Sequence, residues 1–210
     1  MKTKTQAGLL AALAAVSMAT AAGAQICVGF PTGDRQFTLG VGLLFPQGAQ
    51  AGDVWHVEGS ANPLGPLGLF GSVTFFDDGL AGAQSYAAGV AWELVPVAPA
   101  GACPTASVEN VDLEGVGTAF AIPVGIGFGA DVPMSRTVSL NPYLVPAVIF
   151  SRFDPDDGLF PGADSESETD FGVSGGVVVS FRTFFFGGTV QHVFDGDSDP
   201  TFGVRAGIRL

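Results

Sequence analysis

The sequence has almost no basic residues and few charges of either sign. Charged residues make up 13% of the chain, against the roughly 25% that is typical of soluble domains. Beyond residue 24 there are six arginines, no lysine and 20 acids, so this part carries a formal charge of about −14. No basic patch is available to neutralise phosphates, which disfavours nucleic-acid or phosphate ligands. The low charge is typical of a surface that faces lipid.

Long hydrophobic runs are also missing. Beyond residue 24, Gly, Pro or a charge interrupts every stretch before about 18 apolar residues accumulate, which argues against a helical membrane protein. The N-terminus has two lysines, a short apolar stretch and the small-residue cleavage site Ala22-Gly23-Ala24, which together indicate a secretory signal. We therefore expect a signal peptide over 1–24 and one domain over 25–210.

Strand-length segments with alternating side chains fill most of the remaining chain. In 116–128, every second residue is apolar or nearly so, and the residues between them are mostly glycine or alanine. A period of two is the side-chain repeat of a β-strand, and these strands have one large apolar face and one small face. The pattern predicts an all-β, antiparallel meander closed into a transmembrane β-barrel of eight to ten strands. The candidate strands are 36–45, 53–62 (weaker), 67–76, 84–95, 116–128, 138–153, 171–181, 184–194 and 202–210.

Two cysteines in an exported protein usually form a disulfide. Cys27 and Cys103 then lie at one end of the barrel, because their Cα atoms must approach within about 7 Å. We expect 96–115, which contains Cys103, to be a long external loop. If the barrel has nine strands, counting back along the chain puts Cys27 at the external end as well. If it has eight strands, Cys27 lies at the periplasmic end. Bacterial barrels favour even strand counts. Two arrangements reconcile a disulfide with an even strand count. Either an extra strand forms near 28–30, or the segment 25–35 threads the lumen or crosses its mouth. If no disulfide forms, the two cysteines are unpaired or intermolecular thiols.

The signal ending in Ala24, the meander from residue 36 and the final alternating strand at 201–210 resemble the small outer-membrane β-barrel proteins of the OmpA, OmpX and OmpW type. The resemblance covers nearly all of the chain after the signal, at the level of pattern. It implies the outer membrane of a Gram-negative cell, with membrane lipids and lipopolysaccharide as partners, and a monomer. One departure is Leu210, because such proteins commonly end in Phe. Members of this class include adhesins, small pores, structural anchors and a few lipid-modifying enzymes.

Alternation places Arg205 and Arg209 on the inner face of the last strand, and Glu58 and Glu93 are among the inward acids. We predict that the arginines pair with lumen acids such as Glu93, because an unpaired charge in a narrow lumen is costly. An ion-selective channel would show rings of like charge, and the sequence shows none.

The sequence offers no catalytic, cofactor-binding or metal-binding site. It has only two histidines, and His192 has Phe194 at the position where barrels that modify lipid A would carry a serine. The spacing D-x-D-x-D at 195–199 is similar to a calcium loop, but Pro200 and Ala206 occupy the positions that need Gly and Glu. A weak divalent-ion contact there is kept as an alternative to a plain acidic turn.

We therefore predict a non-enzymatic outer-membrane barrel with a structural or surface-interaction role, no cofactor and no nucleic-acid partner. The acidic loops at 101–115 and 154–170 are the candidate sites for an extracellular ligand. A small pore or carrier for small or apolar solutes is the first alternative. The second is a secreted soluble β-sandwich or lipocalin-like binder, because a sandwich core also buries one apolar strand face.

Overall fold

The computed structural model describes residues 26–30, 37–45, 54–64, 66–76, 84–97, 100–113, 117–156, 165–194 and 199–210. The expected signal peptide lies outside these residues. Within them, no helix has the length and apolar character needed to cross a membrane. A single 3₁₀ turn, Ile26–Val28, precedes twelve strands: β1 (Phe37–Phe45), β2 (Val54–Leu64), β3 (Leu67–Phe76), β4 (Gln84–Trp92), β5 (Val95–Val97), β6 (Ala100–Leu113), β7 (Gly117–Ala130), β8 (Val132–Pro133), β9 (Val138–Pro155), β10 (Glu166–Phe181), β11 (Phe184–Val193) and β12 (Thr201–Arg209).

Ten of these strands form one antiparallel sheet that closes on itself. Each barrel strand pairs with the next one along the chain, and β12 pairs with β1 from Thr38↔Arg209 to Phe45↔Phe202, which closes the barrel. The short strands β5 and β8 extend the hairpins of β6 and β9. The predicted antiparallel barrel is confirmed, and its ten strands satisfy the preference for an even number.

One barrel strand comes from a segment that the sequence analysis predicts as a loop. The strand β6, Ala100–Leu113, pairs with β4 on one side and with β7 on the other. The long loop predicted at 96–115, with its acidic part at 101–115, is therefore wrong. The exposed positions of β6 include Pro104 and Asn110, so this strand lacks the large apolar face by which the others are recognised.

The barrel wall is apolar outside and small or polar inside. In β1, the side chains of Phe37, Leu39 and Val41 are about half exposed, at 50–54%, whereas Thr38 between them is buried. A soluble lipocalin-like barrel would have the reverse arrangement, and a sandwich would have two facing sheets instead of one closed sheet. The soluble alternatives are therefore wrong. Every barrel strand exposes at least one large apolar side chain, among them Trp55, Leu69, Tyr86, Val108, Val124, Leu144, Val177, Phe186 and Val204.

The two ends of the barrel differ in their connections. Two of the four connections at the end that holds Leu210 are only two residues long, 65–66 and 182–183, whereas the longest connections, 46–53 and 156–165, lie at the opposite end. Outer-membrane barrels have short periplasmic turns and longer external loops. We therefore name the first the periplasmic end and the second the extracellular end. The longest strands, β9 and β10, have 18 and 16 residues and reach furthest at the extracellular end.

A charge on the outer face tests whether that face lies in lipid. Val124 is exposed in the middle of β7, and Val124→Arg is expected to destabilise folding into phospholipid vesicles by about 2–4 kcal/mol. Thr118 lies on the same face near the extracellular end, and Thr118→Arg is expected to cost only about 0–1 kcal/mol. Urea titrations followed by the mobility shift of unboiled samples on gels measure both. Equal costs at the two positions would contradict a lipid-facing belt.

Candidate functional site

Residues 26–30 lie inside the barrel and form what we call the lumen plug. Cys27, Gly29 and Phe30 are buried, and the 3₁₀ turn contacts β6, β7 and β9. A Cβ atom on Gly127 of β7 would collide with the carbonyl group of Cys27, so the plug approaches the wall where the wall has no side chain. The extra strand offered near 28–30 is wrong, because Ile26–Val28 forms a 3₁₀ turn and residues 29–30 are not in a strand. Of the segment 25–35, the described residues 26–30 occupy the lumen.

A disulfide between Cys27 and Cys103 fastens the plug to β6. The two Cα atoms are 5.9 Å apart, and both residues have no solvent exposure. Because β6 begins at the periplasmic end, Cys103 lies near that end, and the external loop expected around it is wrong. The bond joins residues 76 positions apart, and closing a chain loop of this length contributes about 4 kcal/mol in the chain-entropy model.

Arg205 of β12 fastens the plug a second time. Its Nη1 atom donates to both carboxylate oxygens of Glu58, at 2.9 and 3.1 Å, and its Nη2 atom donates to the carbonyl oxygen of Gly29. Its Cζ atom lies 5.4 Å from the ring centre of Phe30 and 5.6 Å from that of Tyr143, within the range of cation–π attraction. One guanidinium group therefore contacts two parts of the wall and the plug.

Two inward glycines of β1 give the ion pair its space. Arg205 and His56 flank Gly42 on the neighbouring strands, and Glu58 is the register partner of Gly40. Because β1 has no side chain at these positions, groups from β12 and β2 meet across it. A Cβ atom on Gly40 would lie 3.0 Å from Glu58 Oε1, and one on Gly42 would overlap the His56 ring.

The predicted lumen residues take three different positions. Arg205 is 7% exposed and faces the lumen, but its acidic partner is Glu58 and not Glu93. Glu93 is buried beside the plug, since a Cβ atom on Gly101 would lie 3.6 Å from Glu93 Oε1 and 3.5 Å from the sulfur of Cys27. Arg209 is half-buried at the periplasmic end of β12.

Between the plug and the extracellular end lies a cavity of about 430 Å³, which we call the lumen cavity. Val28 of the plug lines it, and β6, β7, β9, β10 and β11 contribute its walls together with Phe70 of β3. Most of the lining is apolar; its polar groups include the hydroxyl of Ser107 and the carboxylate of Glu109, which accepts a hydrogen bond from Ser85 Oγ at 2.8 Å. The volume falls in the range of small-molecule sites, about 300–1,000 Å³.

Among the described residues, neither histidine has a hydrogen-bonded serine of the hydrolase type, although His192 is one of the residues that line the lumen cavity. His56 is buried in the wall with Nε2 3.9 Å from Glu58 Oε2. The His192 ring packs against Phe194 with ring centres 4.4 Å apart, and residues two apart on a strand share a face. Over the part of the chain that the structure describes, no group of three or more His, Cys, Asp or Glu is arranged to hold a metal ion. The D-x-D-x-D segment lies mostly outside that part.

The fold is similar to solved outer-membrane β-barrels. The KdgM porin in complex with disordered oligogalacturonate is 10% identical, with 82% of this chain and 99% of that chain covered and a TM-score of 0.46. LpxR from Salmonella typhimurium is 9% identical, with 83% and 84% covered and a TM-score of 0.47. The N-terminal β-barrel domain of Pseudomonas aeruginosa OprF is 10% identical, with 84% and 100% covered and a TM-score of 0.38. No family model and no curated protein matches the chain. These likenesses concern the fold alone.

Removing one partner of the buried ion pair tests its role in stability. Arg205→Met leaves the Glu58 carboxylate buried without its guanidinium, and we expect a loss of about 3–5 kcal/mol. The double variant Arg205→Met/Glu58→Met removes both charges and is expected to recover most of that loss, because apolar side chains replace a desolvated pair. Urea unfolding in detergent micelles measures all three proteins. A double variant as unstable as the single one would show that the loss does not come from the uncompensated carboxylate.

Proposed function

We propose that the protein is a non-enzymatic outer-membrane β-barrel, closed to ions by its own N-terminal segment, with a structural or surface-interaction role. The observation that carries this proposal is the double attachment of the lumen plug, by the disulfide to Cys103 and by the contact of Arg205 with Gly29. The outward apolar side chains support a membrane setting. A disulfide needs an oxidising compartment such as the bacterial periplasm, which agrees with export and cleavage after Ala24.

Side chains add to the closure below the lumen cavity. Phe185 and Val178 are fully buried, and Ser180 donates a hydrogen bond to the Asn141 amide oxygen at 3.0 Å. The lumen of a small barrel is narrow enough for side chains to fill it. The alternative function, permeation of small solutes, therefore requires displacement of the plug from the lumen. The disulfide between Cys27 and Cys103 opposes this displacement.

The extracellular surface supports an interaction role. On β10, Glu166 and Glu168 are exposed where the strand extends at the extracellular end, and Asp154 is exposed at the facing end of β9. This acidic surface forms part of the predicted ligand-binding region at 154–170, although strands rather than a loop carry these three residues. Its charge favours positively charged partners, or lipopolysaccharide bridged by divalent cations. We further propose that the barrel acts as a monomer, with membrane lipids around it.

Conductance in planar lipid bilayers tests the closed lumen. We expect the oxidised, folded chain to insert without a steady ionic current, and heat-modifiable migration on a gel identifies the folded form. Arg205→Met treated with dithiothreitol loses both attachments of the plug and is expected to show current. Cys27→Ser/Cys103→Ser loses only the disulfide and keeps the Arg205 contact, so its conductance is expected to be lower than that of the doubly released protein. Steady current through the oxidised wild-type protein would overturn the closed lumen and favour the pore.

A further inference from the structure

We propose that the lumen cavity binds a small organic cation with an apolar body, which enters from the extracellular end. This inference rests on the proposed closure, because the lumen plug forms the inner boundary of the cavity. Three features of the described residues carry it: the blind shape of the cavity, the chemistry of its lining and the distribution of charge along the barrel.

The shape gives access from one side. Val28 bounds the cavity toward the periplasmic end, next to the buried Cys27. Toward the extracellular end, the lining residues Ser174 and Gln191 are register partners on β10 and β11. Gln191 is exposed, so among the described residues the lumen is open to solvent at that level. A molecule that enters there meets a closed inner boundary, as in a binding site, and not an exit.

The lining suits an apolar body that carries a positive charge. Small and branched apolar side chains form much of the wall, among them Ala121, Ala147 and Ile149. Among the lining residues that the structure describes, Glu109 and His192 are the two with an acidic or basic side chain, and Glu109 is half-buried. A half-buried carboxylate beside apolar walls attracts a cation more strongly than a fully exposed carboxylate does. The described lining residues offer an anion no arginine or lysine, and burial of an anion beside Glu109 is unfavourable.

The charge along the barrel favours entry of cations. Exposed carboxylates surround the extracellular end, including Asp112, Glu166 and Glu168, whereas Arg136 and Arg182 are exposed at the periplasmic end. The extracellular Arg152 donates to both carboxylate oxygens of Asp154, at 3.0 and 3.1 Å, so its charge is offset locally. A cleft whose entrance has one sign of charge raises the local concentration of the opposite ion. The same field repels anionic ligands.

Calorimetric titration of the oxidised, folded chain in lipid nanodiscs tests the inference. Benzyltrimethylammonium is the probe, because it joins an aromatic body to a fixed positive charge; benzyl alcohol and benzoate are its neutral and anionic counterparts. We expect one cation to bind per chain, at least about tenfold more tightly than benzyl alcohol, and no binding of benzoate. Empty nanodiscs correct for partition into lipid.

Variants locate the binding. Glu109→Gln keeps the shape of the side chain, removes its charge and is expected to weaken cation binding about tenfold, or about 1.4 kcal/mol. Glu166→Gln changes the net charge equally at an exposed position outside the cavity, and we expect less than a twofold effect. Ala147→Trp fills the cavity and is expected to abolish binding in a barrel that still shows heat-modifiable migration.

The inference is overturned if the oxidised protein binds no probe, if benzyl alcohol binds as tightly as the cation, or if Glu109→Gln and Glu166→Gln have equal effects. The conductance measurement separates these results from failure of the closed lumen. Ionic current through the oxidised protein contradicts the closed lumen, even if one cation binds at Glu109. If the oxidised protein shows no current and also binds no probe, only the proposed cation site is contradicted.

Discussion

The arrangement of the lumen depends on the guanidinium group of Arg205. A charge inside a narrow barrel needs compensation, and it receives this from Glu58 on the wall and from the Gly29 carbonyl of the plug. Such a pair contributes little net stability, because desolvation of both ions offsets their attraction. Its consequence is geometric. A one-residue slip of β12 against β1 would turn Arg205 toward lipid and leave Glu58 uncompensated, so the pair selects both the closing register of the barrel and the position of the plug.

Alternation along the chain was sufficient to predict most of the barrel wall, because lipid on one side and a narrow lumen on the other demand unlike faces on each strand. Even the weak segment at 53–62 becomes the barrel strand β2. The failure at β6 has a physical cause: Ala102, Pro104 and Ala106 occupy its outward phase, and small side chains produce little periodic signal. Pairing with β4 and β7 supplies the strand structure there. The preference for an even strand count indicated a missing strand, but the place offered for it near 28–30 was wrong, because the additional strand is β6.

The site was less predictable than the wall, since its contacts form only when the barrel closes. Arg205 and Glu58 are 147 residues apart, and they meet because β12 and β2 both flank β1. Alternation put both side chains in the lumen but gave no reason to prefer Glu58 over Glu93. The two cysteines were expected to pair, yet the end of the barrel at which they meet depended on β6. Register across the closing seam is the information that sequence periodicity lacks.

The inner faces of the barrel strands carry small residues both beside the lumen plug and beside the lumen cavity, and sequence alternation alone does not distinguish the two levels. Where the plug lies, wall glycines make room for it, as Gly127 does for Cys27, and plug and wall are in close contact. Further toward the extracellular end, Ala121 and Ala147 are also small, but none of the described plug residues fills the space between the walls there, and the lumen cavity results. The same sequence property therefore accompanies close contact between plug and wall at one level and, among the described residues, the lumen cavity at the next. How far the plug reaches therefore sets where the lumen cavity begins, since Val28 of the plug is part of its lining.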